Sequence, residues 1–128
     1  YGNNDVVGPD ADHGTHVAGI IAADRDNNLG IRGIALNVKI MALRVVPNGD
    51  ERDKDVALAV KYAADNGAHI INMSFGKSYS PNKREVGEAF KYAADRGVLI
   101  FHAAGNESTD RDQEDRFPMR FQFTHEGD

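Results

Sequence analysis

Two seven-residue stretches, Lys61-Tyr62-Ala63-Ala64-Asp65-Asn66-Gly67 and Lys91-Tyr92-Ala93-Ala94-Asp95-Arg96-Gly97, nearly repeat one another 30 positions apart. Each is the tail of an apolar stripe at helical spacing: Val56, Ala59, Val60 and Ala63 in the first, Val86, Ala89, Phe90 and Ala93 in the second. The spacing predicts a helix from about Asp53 to Asn66 and another after the cap and first-turn pair Ser80-Pro81, with Gly67 and Gly97 closing them in a left-handed conformation. Short apolar runs follow, His69 to Ser74 and Val98 to Phe101, and an earlier run, Val38 to Val46, ends at Pro47-Asn48-Gly49. All three read as strands, giving the order β-α-β-α-β. The tail does not occur a third time, so one βα unit is used twice and the chain is not a solenoid. Apolar strands alternating with amphipathic helices require a parallel sheet covered on both faces. The expected fold class is therefore α/β, a three-layer α/β/α arrangement with a mainly parallel sheet.

A length of 128 residues allows one domain, taken here as 1–128. Fifteen basic against twenty acidic residues give a net charge of −5, which provides neither a footprint for nucleic acid nor a polybasic membrane surface. No apolar run approaches the ~20 residues of a membrane span. The start, Tyr1 to Asp5, has neither part of a signal peptide and lacks an initiator methionine, so the chain reads as an excised or processed piece. Without cysteine there is no disulfide, thiolate nucleophile or cysteine-based zinc site, and the compartment is left open. Residues 107–116 are dense in charge and read as a solvated loop. The alternation of Phe117 to Phe123, with Pro118 inside it, fits an edge strand only.

Chemistry concentrates first at Asp12-His13-Gly14-Thr15-His16-Val17-Ala18-Gly19. Asp12 is placed to cap a helix whose apolar face carries Val17, Ile20 and Ile21. His13 then lies in the first turn, where an imidazole titrating near neutral pH can take a proton from a nucleophile and return it to a leaving group. His16, beside Val17, is expected to be half-buried and structural. A metal site from His13 and His16 with Asp10 or Asp12 lacks further ligands at a recognisable spacing, so no metal is assigned.

In a parallel α/β sheet, function gathers at the carboxyl ends of the strands. His13, Ser74-Phe75-Gly76 and Ala103-Ala104-Gly105-Asn106 are all expected along that rim.

His-Gly-Thr-His-Val-Ala-Gly at 13–19, Asn-Met-Ser-Phe-Gly at 72–76 and Ala-Ala-Gly-Asn at 103–106 resemble, in order and spacing, the subtilisin-like serine proteases, or subtilases. The likeness covers roughly residues 5–118. It implies an incomplete subtilisin-like fold and a peptide or protein substrate, with an extracellular or cell-envelope setting. It makes His13 the general base of an Asp/His/Ser triad and Asn106 the donor of a side-chain amide to the tetrahedral oxyanion. It also implies that the backbone of Ser74, Phe75, Gly76, Ala103, Ala104 and Gly105 lines the pocket for the side chain preceding the scissile bond. In the family an extended substrate pairs with the stretch after the strand ending near Val46. Here that stretch is Gly49-Asp50-Glu51-Arg52-Asp53, more charged than the small-residue edge of secreted subtilisins and otherwise an exposed loop with helix-capping acids.

Many subtilases hold calcium at the place of the turn from Asp24 to Gly30, where Asp24, Asp26, Asn27 and Asn28 offer oxygen ligands. The family's site also draws on residues outside this segment, so no cofactor is expected from the turn alone. Neither the strand-end aspartate preceding the histidine nor a Gly-Thr-Ser-Met-Ala motif occurs here, and Ser74, Ser78, Ser80 and Ser108 are the only serines. The chain therefore carries a base and an oxyanion donor without a nucleophile and is expected to be inactive by itself. In the subtilase sheet the missing first strand lies between the run at Val38–Val46 and that at His69–Ser74. The unpaired edges left by that gap predict a homo-oligomer. The competing class is a non-hydrolytic, subtilase-derived module that binds peptides or itself.

Overall fold

Asp53 to Asp65 and Lys83 to Ala94 are helices, each leading into a short strand, as the twin tails require. The computed structural model describes residues 2–46, 49, 51–77, 80–106 and 108. It divides into two compact units, 1–44 and 45–128.

In the second unit, α2 (Asp53–Asp65) and α3 (Lys83–Ala94) pack against each other and flank the sequence of β1 (Ile70–Met73), which pairs in parallel with β2 (Leu99–His102). The register places Ile70 opposite Leu99 and Met73 opposite His102. The helical stripes become the core: Val56, Ala57, Val60, Val86, Ala89, Phe90 and Ala93 form one buried cluster with Met73 and Val98. Ile71 and Ile100 pack against it, while Ile70, Leu99 and Phe101 point outward, as the period of two demands. Gly67 (φ +81) and Gly97 (φ +77) take the left-handed conformation that ends each helix. The amides of Ala68 and Val98 donate back to Ala63 and Ala93, so both tails close alike. The tails also meet: Tyr92 Oη donates to Asp65 Oδ1 at 2.6 Å, and the Arg96 guanidinium covers the Tyr92 ring at 3.3 Å. Helices joined to a parallel sheet establish the α/β class, in an incomplete form.

Two features differ from the sequence expectation by more than a residue at an end. Residues 38–46 form no strand, and Val38, Ile40 and Met41 are exposed. A strand exists only as half of a hydrogen-bonded ladder, and no described residue pairs with this run. The second difference is at the start of α3, which begins at Lys83 with Asn82 as its N-cap instead of at the Ser80-Pro81 pair. Asp53 explains the shift, because its Oδ2 accepts the Asn82 N–H at 2.8 Å and so supplies from α2 the acceptor that Ser80 was expected to provide.

In the first unit, α1 (Asp12–Ala22) is preceded by Ala11 as N-cap and has no side-chain cap. Asp12 is thus inside the first turn. Its own amide donates to Asp10 Oδ1 at 3.2 Å, which makes Asp10 the residue that shapes the entry. At the other end, the amides of Gly33, Ile34 and Ala35 donate to the carbonyls of Ala23, Ile20 and Ile21 at 2.8–3.0 Å. The returning chain thereby satisfies groups that a helix end leaves open. Arg25 reinforces it, with Nε on Gly33 O (2.6 Å) and Nη2 on Ile34 O (2.7 Å). Only a residue without a side chain fits at 33, since a Cβ there would overlap the backbone of Ala22 and Ala23.

Candidate active site

The parallel pairing of β1 and β2 brings two of the three motifs together. Ser74 follows Met73 and Ala103 follows His102, and those two strand ends are opposite each other in register. The Ala103 N–H continues the ladder onto Met73 O at 3.0 Å. Ser74-Phe75-Gly76 and Ala103-Ala104-Gly105-Asn106 therefore leave the sheet side by side at its carboxyl edge. Ser74 and Phe75 are half-buried, with Phe75 against the core, whereas Gly76 and Ala103 to Asn106 are exposed. Ser74 Oγ accepts a bond from Asn72 Nδ2 at 2.9 Å, so this hydroxyl is engaged beside the strand. An edge of exposed backbone at paired strand ends offers donors and acceptors to an extended peptide.

His13 belongs to the first unit and is the second residue of α1, exposed to solvent. His16 is exposed as well, not half-buried. The reason is that α1 buries none of its residues within its unit, so its apolar face gives His16 nothing to pack under. The Asp24–Gly30 turn uses its side-chain oxygens locally: Asp24 Oδ1 accepts the Asp26 N–H and Asn27 Oδ1 the Leu29 N–H, both at 2.9 Å. Among the described residues no group of three or more acidic or histidine side chains converges as metal ligands. The 107–116 loop, apart from Ser108, and the Phe117–Phe123 run lie outside the described residues, as do Ser78, Pro47, Asn48 and Asp50.

The stretch before α2 departs most from expectation. Glu51 and Asp53 are each only 5% exposed, not part of an exposed loop. Asp53 Oδ1 pairs with Lys77 Nζ at 2.7 Å, and Lys77 Nζ also donates to Glu51 O at 2.7 Å. Burial pushes the Asp53 carboxyl up, but hydrogen bonds from Lys77, the Asn82 N–H and Ser80, with the Lys77 charge, outweigh it and hold the group below the ordinary aspartate range. The sequence held one signal of this. Asp53 stands on the same helical face as Val56, Val60 and Ala63, and a charge on an apolar stripe requires a buried partner. Nothing in the spacing pointed to Lys77 as that partner.

Comparison with known proteins accords with this geometry. The model of the Peptidase_S8 subtilase family matches residues 1–122. A cell wall-associated protease of Bacillus subtilis (strain 168) is 46% identical over 79 residues, which are 61% of this chain and 9% of that protein. A thermophilic serine proteinase of Bacillus sp. (strain AK1) is 52% identical over 65 residues, 50% of this chain and 16% of that protein. A thermostable alkaline protease of Halalkalibacterium halodurans is 39% identical over 110 residues, 85% of this chain and 29% of that protein. The chain thus spans less than a third of the length of each of these relatives. No solved structure matches it. With the family's model matched over residues 1–122 of its 128, this chain belongs to the subtilase family.

Proposed function

We propose that this chain is the central segment of a subtilisin-like serine endopeptidase domain, supplying the general base and the oxyanion donor for peptide-bond hydrolysis. The observation that carries the reading is the adjacency of Ser74-Phe75-Gly76 and Ala103-Ala104-Gly105-Asn106 at the carboxyl edge of β1 and β2. In the reaction, His13 takes the proton from a serine hydroxyl as its oxygen attacks the scissile carbonyl. The carbonyl oxygen gains the negative charge, and the Asn106 amide donates to it. His13 then returns the proton to the departing amine, leaving an acyl-enzyme that water opens by the same steps reversed. The backbone of 74–76 and 103–105 binds the substrate peptide and its side chain preceding the cleaved bond. The aspartate that orients His13 and the serine that attacks belong to sequence outside these 128 residues, so this chain alone does not hydrolyse peptides. The name of the cell wall-associated relative supports an extracellular or cell-envelope setting.

A serine-directed fluorophosphonate read by intact mass tests this. The 128-residue chain should form no adduct, while the full protein should form one that is lost on His13→Ala. A stoichiometric adduct on Ser74, Ser78, Ser80 or Ser108 of the short chain would overturn the assignment.

A second reading has its own support. Ile70, Leu99 and Phe101 expose the outward sheet face, each at 56–59%. A non-hydrolytic module would use such a surface, with the unpaired strand edges, to associate with itself. Light scattering across a concentration series tests this reading, since a monomer mass at every concentration removes the self-associating module.

A further inference from the structure

The buried polar cluster around Asp53 takes no part in the chemistry above, yet it ties together three segments of the second unit. Asp53 opens α2, Lys77 directly follows Ser74-Phe75-Gly76, and Ser80 and Asn82 lead into α3. One carboxylate receives the Lys77 ammonium, the Asn82 N–H and a bond from Ser80. The same ammonium reaches back to Glu51 O. Lys77 and Asp53 side chains are 9% and 4% exposed, so water does not compete for these bonds. A second buried acid sits alongside, for Glu51 Oε1 has no hydrogen-bond partner among the described residues. Holding an ammonium between a carboxylate and a carbonyl restricts its movement and, through the chain, that of the adjoining Gly76.

We propose that Lys77 and Asp53 are positioning residues for peptide binding, setting the spacing between the Ser74–Gly76 segment and the entrance to α2. This rests on the reading of 74–76 as a substrate-binding segment. Both side chains are buried away from the surface that a peptide would meet. The pair acts by removing freedom from a segment that otherwise would have to be ordered when peptide binds, a cost that falls on affinity and not on the bond-breaking step. The effect belongs to long substrates, which run past both segments, and not to short esters that occupy only the pocket before the scissile bond.

The test uses the full protein and the variant Lys77→Met, which keeps the length of the side chain and removes its charge. For a peptide of six or more residues KM should rise about tenfold with kcat within about twofold, while a short ester shows neither change. Lys77→Arg should restore part of the loss. Should Lys77→Met not fold, Ser80→Ala removes one donor from Asp53 and should give a smaller rise of the same kind. NMR relaxation supplies a readout independent of hydrolysis: the backbone order parameters of Phe75 and Gly76 should fall in the variant while those of the α2 core are unchanged. Unchanged order parameters at 75 and 76, or KM rising equally for short and long substrates, would overturn the inference. A wild-type protein that hydrolyses neither substrate would instead overturn the proposed function, and the relaxation experiment would still decide the role of the pair.

Discussion

Lys77 Nζ lies 2.7 Å from Asp53 Oδ1 in a setting that shields both side chains, whereas Arg84 and Glu88, also 2.7 Å apart, stand on the surface of α3 with side chains 91% and 59% exposed. Equal distances here carry unequal energies. Removing one member of a buried pair strands the other, at a cost of about 3–5 kcal/mol, while an exposed pair one helical turn apart is screened by water. Urea melts of the full protein should therefore show Lys77→Met strongly destabilised and Arg84→Ala within the error of the measurement. Equal effects would contradict the burial of the Asp53 cluster.

Acid should weaken the same cluster. The folded Asp53 carboxyl is held below its unfolded value, so its contribution is complete above the unfolded value, near pH ~3.9, and is lost as pH falls through the lowered folded value. The ionisable groups beside it are Lys77 and Glu51. Melts of wild type and Asp53→Asn should differ most at neutral pH and begin to converge only as the pH falls below about 4. A difference independent of pH would assign the effect of the substitution to packing.

Gly33→Ala should disturb the first unit. The added methyl meets the backbone of Ala22 and Ala23, which cannot swing aside as a flexible side chain can. Overpacking of this kind costs about 1–3 kcal/mol, and the upper end applies where backbone is struck. Faster hydrogen exchange at the Ile34 and Ala35 amides, which cap α1 through Ile20 and Ile21, is the direct check. Protection equal to wild type would show that the close approach is not maintained.

The two faces of the strand pair should respond differently. Phe90 is buried between the helices and the sheet, and Phe90→Ala should cost about 3–5 kcal/mol. Phe101 points outward at 56% exposure, and Phe101→Ser in the 128-residue chain should fall within about 0.5 kcal/mol. A large loss at Phe101 would mean that its face is covered in solution, as the self-associating reading requires.

The helices, their glycine stops and two of three strands were legible because each is specified locally. A 3.6-residue stripe followed by glycine needs no knowledge of its partners, and the twin tails state it twice. The run at 38–46 misled because residue type describes what suits a strand, while pairing decides whether one forms. His16 misled for a related reason: Val17 beside it is apolar, but α1 buries nothing within its unit. At the site, the two strand-end motifs were legible as neighbours from parallel order alone. The Asp53–Lys77 pair was not, since 24 residues separate its members and only the crossover through β1 brings them together.

The central claim is that His13 and Asn106 act as base and oxyanion donor, and single-residue kinetics of the full protein tests it most directly. Asn106→Ala should lower kcat by about 10²- to 10³-fold with KM little changed, the size known for removing one oxyanion donor in subtilisin itself, because the amide meets the charge only as the transition state forms. His13→Ala should remove nearly all serine-dependent turnover. Wild-type kcat in Asn106→Ala, or a loss confined to KM, would contradict the account.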